Sequence, residues 1–157
     1  RTAGQTAPDS IETGTLNHAA IAGVTAAVDF LASLGEGSTL RERLVNAYQN
    51  IGEHERKLAV QLYEGLKSIP GIKTVGQDFS SKYRAPTVSF TFEGKTPQQV
   101  CAHLARKNIC AWDGHFYAIR AIEILGLLER GGVTRLGISV YNTSNDIEST
   151  LQQLKNL

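Results

Sequence analysis

The spacing of apolar residues changes at Pro70-Gly71, and this change constrains the fold more than any other feature of the sequence. Before it, apolar side chains recur every three or four residues, which predicts two amphipathic helices. After it, Thr87–Phe92 alternates apolar and polar side chains, which predicts a strand with one buried face. Strands that cluster with helices between and after them are typical of an α+β fold in which helices cover one face of an antiparallel-rich sheet.

The predicted elements divide the chain into two parts. We expect residues 1–36 to form a polar linker and a connecting helix, and residues 37–157 to form a small α+β domain that begins with a longer helix. Thr96-Pro97 predicts the start of a third helix, and Ser144 or Asn145 the start of the last one. The remaining predictions are strands over 72–75, 109–112 and 133–141, a turn at Asp113-Gly114, and a helix packed on several sides over 118–128.

Composition and charge exclude several functional classes. The chain has 157 residues, and its 16 basic and 15 acidic side chains leave a net charge of +1. This small charge is not the excess of positive charge that is typical of proteins that bind nucleic acid or an anionic membrane. No apolar run approaches the roughly 20 residues that span a bilayer. Cys101 and Cys110 are too few for a disulfide framework, which favours a cytoplasmic protein. Because the chain contains no methionine, we expect it to be a piece of a longer protein.

The sequence also lacks the usual signatures of metal and nucleotide sites. The four histidines are scattered, and none pairs with another at metal-ligand spacing, so we predict no metal site. His54 and His103 lie on predicted helices and are expected to be structural or surface residues. Gly-rich phosphate loops, dinucleotide fingerprints and Gly-x-Ser-x-Gly motifs are all absent from the sequence.

Arg135 is the first candidate site residue. It shares a predicted strand face with Gly137 and Ser139, whose small side chains leave room for a carboxylate to approach the guanidinium in a bidentate fork. An ordinary surface arginine at a sheet edge would have the same pattern.

The second candidate is the segment Ala111–Tyr117, which contains Trp112, His115 and Tyr117. Aromatic and titratable groups around a glycine turn, directly after a strand, suit a loop that lines a pocket. A small hydrophobic cluster beneath a loop is the alternative. The third candidate is Glu12–Thr15, because a hydroxyl and free backbone N–H groups before a helix can hold a phosphate. An ordinary helix cap would explain the same residues.

At these three places the chain resembles the C-terminal part of a class V aminotransferase, the pyridoxal-phosphate (PLP) family that includes the cysteine desulfurases. Ile11–Asn17 is similar to the family's FE-x-GT-x-N motif, and Ile109–His115 is similar to GI-x-x-R-x-GHHC. Arg135–Thr143 is similar to the family's arginine strand that ends in Tyr-Asn-Thr before an acidic helix start, and it is the most specific of the three. The resemblance covers essentially the whole chain.

The resemblance implies a fold, a cofactor and roles for particular residues. The fold would be the small C-terminal domain of PLP fold type I, preceded by a linking helix. Arg135 would bind the α-carboxylate of an amino-acid substrate, and His115, Trp112 and Tyr117 would lie in the loop that closes over it. Gly14 and Thr15 would contact the PLP phosphate of a neighbouring subunit, which implies a homodimer.

Departures from the family pattern matter as much as the similarities. Phe116-Tyr117 stands where desulfurases have the sulfur-accepting cysteine, Cys110 lies too early to replace it, and Trp112 stands where they have an arginine. The resemblance is therefore to the desulfurase-like branch, for which the substrate need not be cysteine.

The family's Schiff-base lysine and the aspartate that faces the pyridine nitrogen lie before the Gly-Thr motif, and this chain has neither in such a context. We expect the isolated chain to be inactive and the missing N-terminal large domain to supply catalysis. Two alternatives remain: a stand-alone module that binds an amino acid, and a purely structural or dimerisation domain.

Overall fold

The protein is described by a computed structural model that covers residues 4–12, 14–80 and 84–157. Contacts group the chain into two compact units, Arg1–Ile51 and Gly52–Leu157. The elements are, in chain order, α1 (His18–Ala32), α2 (Leu40–Lys67), β1 (Ile72–Val75), β2 (Thr87–Phe92), α3 (Pro97–Ala105), β3 (Trp112–Gly114), α4 (Ile119–Ile124), β4 (Val133–Gly137) and α5 (Ser144–Lys155).

The first unit contains a tight turn between helices. The turn is closed by two side-chain amides: Asn46 donates to the carbonyl of Glu36 at 2.6 Å, and Asn50 donates to that of Leu34 at 3.1 Å. Gly35 is needed there, because an added Cβ would lie 2.2 Å from the carbonyl oxygen of Arg43. The apolar stripe predicted on α1 does form a helix, but Ile21 and Val24 are 51% and 65% exposed, and Ala32 is the buried residue of this helix.

The sheet of the second unit has the strand order β1-β2-β4-β3, and all three neighbouring pairs are antiparallel. One face is apolar: Val88 is paired with Leu136, and Phe90 is fully buried. These side chains pack in one core with residues of α2, α3 and α5. The opposite face has small, polar or charged residues at the paired positions Lys73–Thr91, Thr87–Gly137 and Ser89–Arg135. Helices therefore cover one face, as the α+β prediction requires, and leave the other open.

Capping explains where the shorter helices begin. The Thr96 side chain accepts from the Gln99 N–H at 3.2 Å, and the Gln99 side chain accepts from the Thr96 N–H at 2.9 Å. Thr143 and Asp146 make the same reciprocal pair at the start of α5. Both starts agree with the sequence predictions, because capping depends on residues close together in the chain.

Three boundaries differ from the prediction. The strand predicted over 109–112 is instead β3, so Asp113 and Gly114 belong to a strand and not to a turn. The predicted helix over 118–128 shrinks to α4, which is mostly exposed and buries only Ile122. β4 ends at Gly137 and not at Tyr141, because the Asn142 side chain accepts from the Ser139 N–H at 2.9 Å and turns the chain.

The two helix histidines have structural contacts, in agreement with the prediction. The His54 Nε2 lies 2.9 Å from the Asn142 carbonyl oxygen, and the His103 Nε2 lies 3.0 Å from that of Gln153. Across the described ranges, no helix has the length and apolarity required to cross a membrane.

Candidate functional site

Arg135 lies on the open face of the sheet, in the middle of β4. Its neighbours across the strands are Ser89 on β2 and Trp112 on β3, and directly paired residues project to the same face. Sequence alternation predicted this exposed position, because Thr134 and Leu136 on either side are buried in the core. The structure therefore brings Arg135 and Trp112, two predicted site residues, to adjacent positions on one surface.

Phe116 contacts the Arg135 guanidinium, and sequence reasoning did not assign it this contact. The Cζ of Arg135 lies 3.8 Å from the centroid of the Phe116 ring, well within the distance of a cation–π interaction. Among the described residues, the two ion pairs are Lys67–Glu64 and Arg120–Glu123, so no carboxylate there neutralises Arg135. A guanidinium with a covered face and free N–H groups can accept a carboxylate at its edge.

The segment Trp112–Tyr117 has an unusual backbone. Phe116 and Tyr117 have φ angles of 51° and 61°, a left-handed conformation that is rare for aromatic residues. The Tyr117 N–H donates to His115 Nδ1 at 3.2 Å, and the Ala118 N–H donates to the His115 carbonyl at 2.8 Å. His115 therefore acts within the loop as a hydrogen-bond acceptor that holds the turn.

The predicted loop residues differ widely in exposure. His115 and Phe116 are half-buried, whereas Trp112 is 70% exposed and Tyr117 is 98% exposed. The rings of His115 and Tyr117 meet edge to face, with centroids 6.4 Å apart. The loop thus presents two large aromatic side chains to solvent beside the open sheet face.

Asp113 anchors the loop from the opposite side of the sheet. It is paired with Thr134, on the core-facing side, and its carboxylate interacts with the Cys101 thiol of α3. Burial, together with the nearby Asp113 charge and hydrogen bond, raises the pKa of Cys101 to about 11. A raised pKa keeps the Cys101 thiol protonated near neutral pH, which does not suit a nucleophile.

Gly14 and Thr15 belong to the first unit, directly before α1. The N-cap of α1 is Asn17, whose side chain accepts from the Ala20 N–H at 3.0 Å, so Thr15 is not the cap residue. Gly14 has a φ of 84°, and an added Cβ would meet nothing within 4 Å. Glu12 is exposed, and Thr13 lies outside the described residues. The Thr15 hydroxyl is exposed and has no hydrogen-bond partner within the ranges that the structure covers.

A metal centre and a cavity are the two alternatives to the Arg135 surface. Groups of three or more His, Cys, Asp or Glu side chains that could hold a metal do not occur in the part described. A cavity of about 420 Å³ opens on the core side of β4, lined by α2, α5 and residues 107–110. None of the predicted site residues lines this cavity.

Comparison with known proteins identifies the family. The family model described as Aminotransferase class-V matches residues 1–150 of the chain. The chain belongs to the class V aminotransferases. This confirms the family resemblance that the sequence predicted.

Individual members of the family give the extent of the similarity. The chain is 32% identical, over 94% of its length, to a probable cysteine desulfurase of Methanothermobacter thermautotrophicus, and covers 34% of that protein. It is 38% identical over 67% of its length to the aminotransferase-like protein FGM3 of Gibberella zeae, and covers 27% of it. The apo structure of a cysteine desulfurase from Thermococcus onnurineus superposes on 95% of the chain with a TM-score of 0.77 and 26% identity.

These comparisons confirm the predicted fold class. The α+β arrangement, with its four-stranded antiparallel sheet, is that of the C-terminal small domain of PLP fold type I. The chain spans about a third of the length of the class V aminotransferases that it matches. Most of the sequence of those relatives therefore has no counterpart in this chain.

Proposed function

We propose that this chain is the C-terminal part of a PLP-dependent enzyme that acts on an amino acid, and that Arg135 binds the α-carboxylate of the substrate. The observation that supports this most directly is the Arg135 guanidinium itself. It stands on an open sheet face, has no carboxylate partner among the described side chains, and is stacked on an aromatic ring. Holding the carboxylate fixes the orientation of the reacting bond, which is a proximity effect.

Gly14 and Thr15 suit the role of phosphate ligands in this proposal. The Thr15 hydroxyl is exposed and not used as a helix cap, and the space beside Gly14 is open, so a phosphate group could approach both residues. When bound, PLP supplies an electron sink for the substrate. The cofactor held here would belong to a neighbouring subunit, so the proposal includes a homodimer. His115, Trp112 and Tyr117 would form the rim around the substrate.

In this proposal an N-terminal large domain carries out catalysis. In this arrangement residues 1–36 link the two domains, residues 37–157 form the small domain, and the enzyme is cytoplasmic. The isolated chain would then be inactive, because the covalent attachment of PLP would lie in the other domain. The chain covers only 34% and 27% of the lengths of two of its relatives, which is consistent with this arrangement.

The proposed reaction is desulfurase-like, without the usual transfer of sulfur to a loop cysteine. The loop beside Arg135 contains Phe116 and Tyr117, and neither can accept sulfur. Cys110 is exposed but precedes β3, and Cys101 is held as a protonated thiol on the core side of the sheet. An elimination, transamination or racemisation of another amino acid fits these residues better.

Reductive labelling tests whether PLP is attached to a lysine outside this chain. The 157-residue chain is incubated with PLP, reduced with borohydride, and searched for pyridoxyl-lysine by peptide mass spectrometry. We expect sparse, scattered labelling, because in this proposal the lysine that attaches PLP lies in the N-terminal large domain. A stoichiometric adduct on one lysine would contradict the proposal that PLP is attached in another domain.

Substitution of Arg135 tests the carboxylate role in the longer protein that carries this domain. Arg135→Ala should raise the Kd of the amino-acid substrate by about a factor of 10 or more, because a charge-assisted hydrogen bond contributes about 1.5–3 kcal/mol. PLP absorbance should not change. Arg130→Ala, at an exposed position just before β4, is the matched control. Equal losses in the two variants, or a parallel loss of PLP from Arg135→Ala, would contradict the assigned role.

A further inference from the structure

The environment of the Arg135 guanidinium is dominated by a single contact. Its Cζ lies over the Phe116 ring, 3.8 Å from the centroid. At this separation an edge-on guanidinium would bring its nitrogens too close to the ring, so a stacked plane is the favoured arrangement. Within the described ranges, no side chain or backbone carbonyl accepts a hydrogen bond from this guanidinium, and no carboxylate pairs with it. Ser89 and Trp112 are its neighbours across the strands. The Phe116 ring is therefore the contact that can restrict the orientation of the guanidinium.

The Phe116 ring reaches this position only because the loop backbone is unusual. Both Phe116 and the next residue are in the left-handed region, where a non-glycine residue is destabilised by about 1–2 kcal/mol. The turn is held in this conformation by hydrogen bonds from the two following N–H groups to the His115 side chain and carbonyl. A strained backbone that places one ring over one charged group points to a specific role for that ring.

The geometry also determines which direction stays open. A ring stacked on the flat face of a guanidinium leaves the N–H groups at its edge unobstructed. A carboxylate binds arginine through that edge, with two parallel hydrogen bonds in the guanidinium plane. The stacked arrangement therefore pre-organises Arg135 for a carboxylate and lowers the conformational entropy lost on binding.

We propose that Phe116 is a positioning residue for Arg135: its ring holds the guanidinium plane so that the edge faces the incoming carboxylate. This inference rests on the proposed role of Arg135 and adds to it the residue that sets its orientation. Phe116 does not touch the substrate in this proposal. It acts through Arg135 alone, so its effect should disappear when the aromatic face is removed and persist when that face is kept.

The test uses NMR spectroscopy on the 157-residue chain labelled with 15N. A proton above an aromatic ring is shielded, so the Arg135 Hε resonance should lie upfield of the other arginines before any ligand is added. L-alanine is then titrated as the carboxylate probe, with L-alaninamide, which lacks the carboxylate, as the negative control. We expect L-alanine to shift the Arg135 Hε resonance and L-alaninamide to leave it unchanged.

Four variants separate positioning from a general effect on the loop. Phe116→Leu removes the aromatic face, and Phe116→Gly removes it while relieving the left-handed backbone. Each should return Hε to the ordinary arginine position and weaken L-alanine binding about two- to twelvefold, the effect of losing about 0.5–1.5 kcal/mol of side-chain pre-organisation. Phe116→Tyr should retain both properties. Phe30→Leu is the matched control, since it makes the same substitution at an exposed phenylalanine of α1 that has no proposed part in substrate binding.

The outcomes distinguish failure of this inference from failure of the proposed function. An ordinary Hε position in the wild type would overturn the inference without any variant. So would unchanged L-alanine affinity in folded Phe116→Leu and Phe116→Gly, or an equal loss in Phe30→Leu. If Arg135→Ala in the longer protein that carries this domain binds its amino-acid substrate as tightly as the wild type, the carboxylate role itself is wrong, whatever the Hε position shows.

Discussion

Gly131 and Gly132 directly precede the site strand β4, and only the second of them packs against the backbone of β3. Their φ angles are 84° and 87°, so alanine is strained by about 1–2 kcal/mol at either position. Only Gly132 faces backbone: an added Cβ would lie 2.2 Å from the carbonyl oxygen of Gly114 on β3. We predict that Gly132→Ala lowers the free energy of unfolding by a further 1–3 kcal/mol, roughly the cost of overpacking. Urea denaturation of the two variants measures this difference.

The same pair of variants reports on the Arg135 surface. Because β3 must move to accommodate the Gly132 methyl group, the Trp112–Tyr117 loop should shift with it, and the Arg135 Hε resonance should change in Gly132→Ala only. Gly131→Ala is the control, since its Cβ would meet only the Pro97 Cδ at 3.9 Å. Equal unfolding free energies for the two variants would show that β3 does not pack against Gly132 as described.

At the scale of an element, the caps of α3 and α5 differ in one useful respect. Both are reciprocal pairs that begin with threonine, but α3 uses neutral Gln99 and α5 uses the Asp146 carboxylate. Hydrogen bonds from the Thr143 N–H and hydroxyl lower the pKa of Asp146 below its ordinary value of 3.8. A lowered pKa in the folded state means that this stabilisation is present above pH 3.8 and is lost as the pH falls further.

We therefore predict that Thr143→Ala and Thr96→Ala each cost about 1 kcal/mol at pH 7, the usual effect of losing a threonine cap. At pH 3 the cost of Thr143→Ala should be smaller, because this pH lies below 3.8, where the stabilisation that comes from the lowered pKa of Asp146 is already being lost. The cost of Thr96→Ala should be the same at both pH values, because Gln99 does not titrate. Thermal unfolding of the three proteins at pH 7 and pH 3 checks this, and identical pH dependence in the two variants would contradict it.

At the scale of the whole molecule, local features were predictable from the sequence and non-local ones were not. The starts of α3 and α5 depend on residues within one turn, and the exposed position of Arg135 follows from strand alternation. The Phe116–Arg135 contact joins residues far apart in the chain and depends on a left-handed backbone that no residue type there suggests. The family motif ending at Thr143 was recognisable, yet its Asn142 and Thr143 prove to hold a turn and cap a helix.

The apolar stripe of α1 leads to the last prediction. The periodicity predicted a helix, and the helix forms, but its stripe is solvent-exposed in the described chain. β4, by contrast, is hydrogen-bonded on both sides by β2 and β3. Amide hydrogen exchange should therefore be fast in α1, through local opening, and slowest in β2 and β4, where it requires global unfolding.

Protein concentration is the variable that makes this measurement decisive. If the α1 stripe stays exposed in solution, exchange in α1 should be equally fast in dilute and in concentrated samples. If a second copy of the chain covers the stripe, protection in α1 should rise with concentration while that of β4 stays constant. Protection in α1 as strong as in β4 at every concentration would contradict the exposure of this helix, because slow exchange requires packing that the structure does not contain.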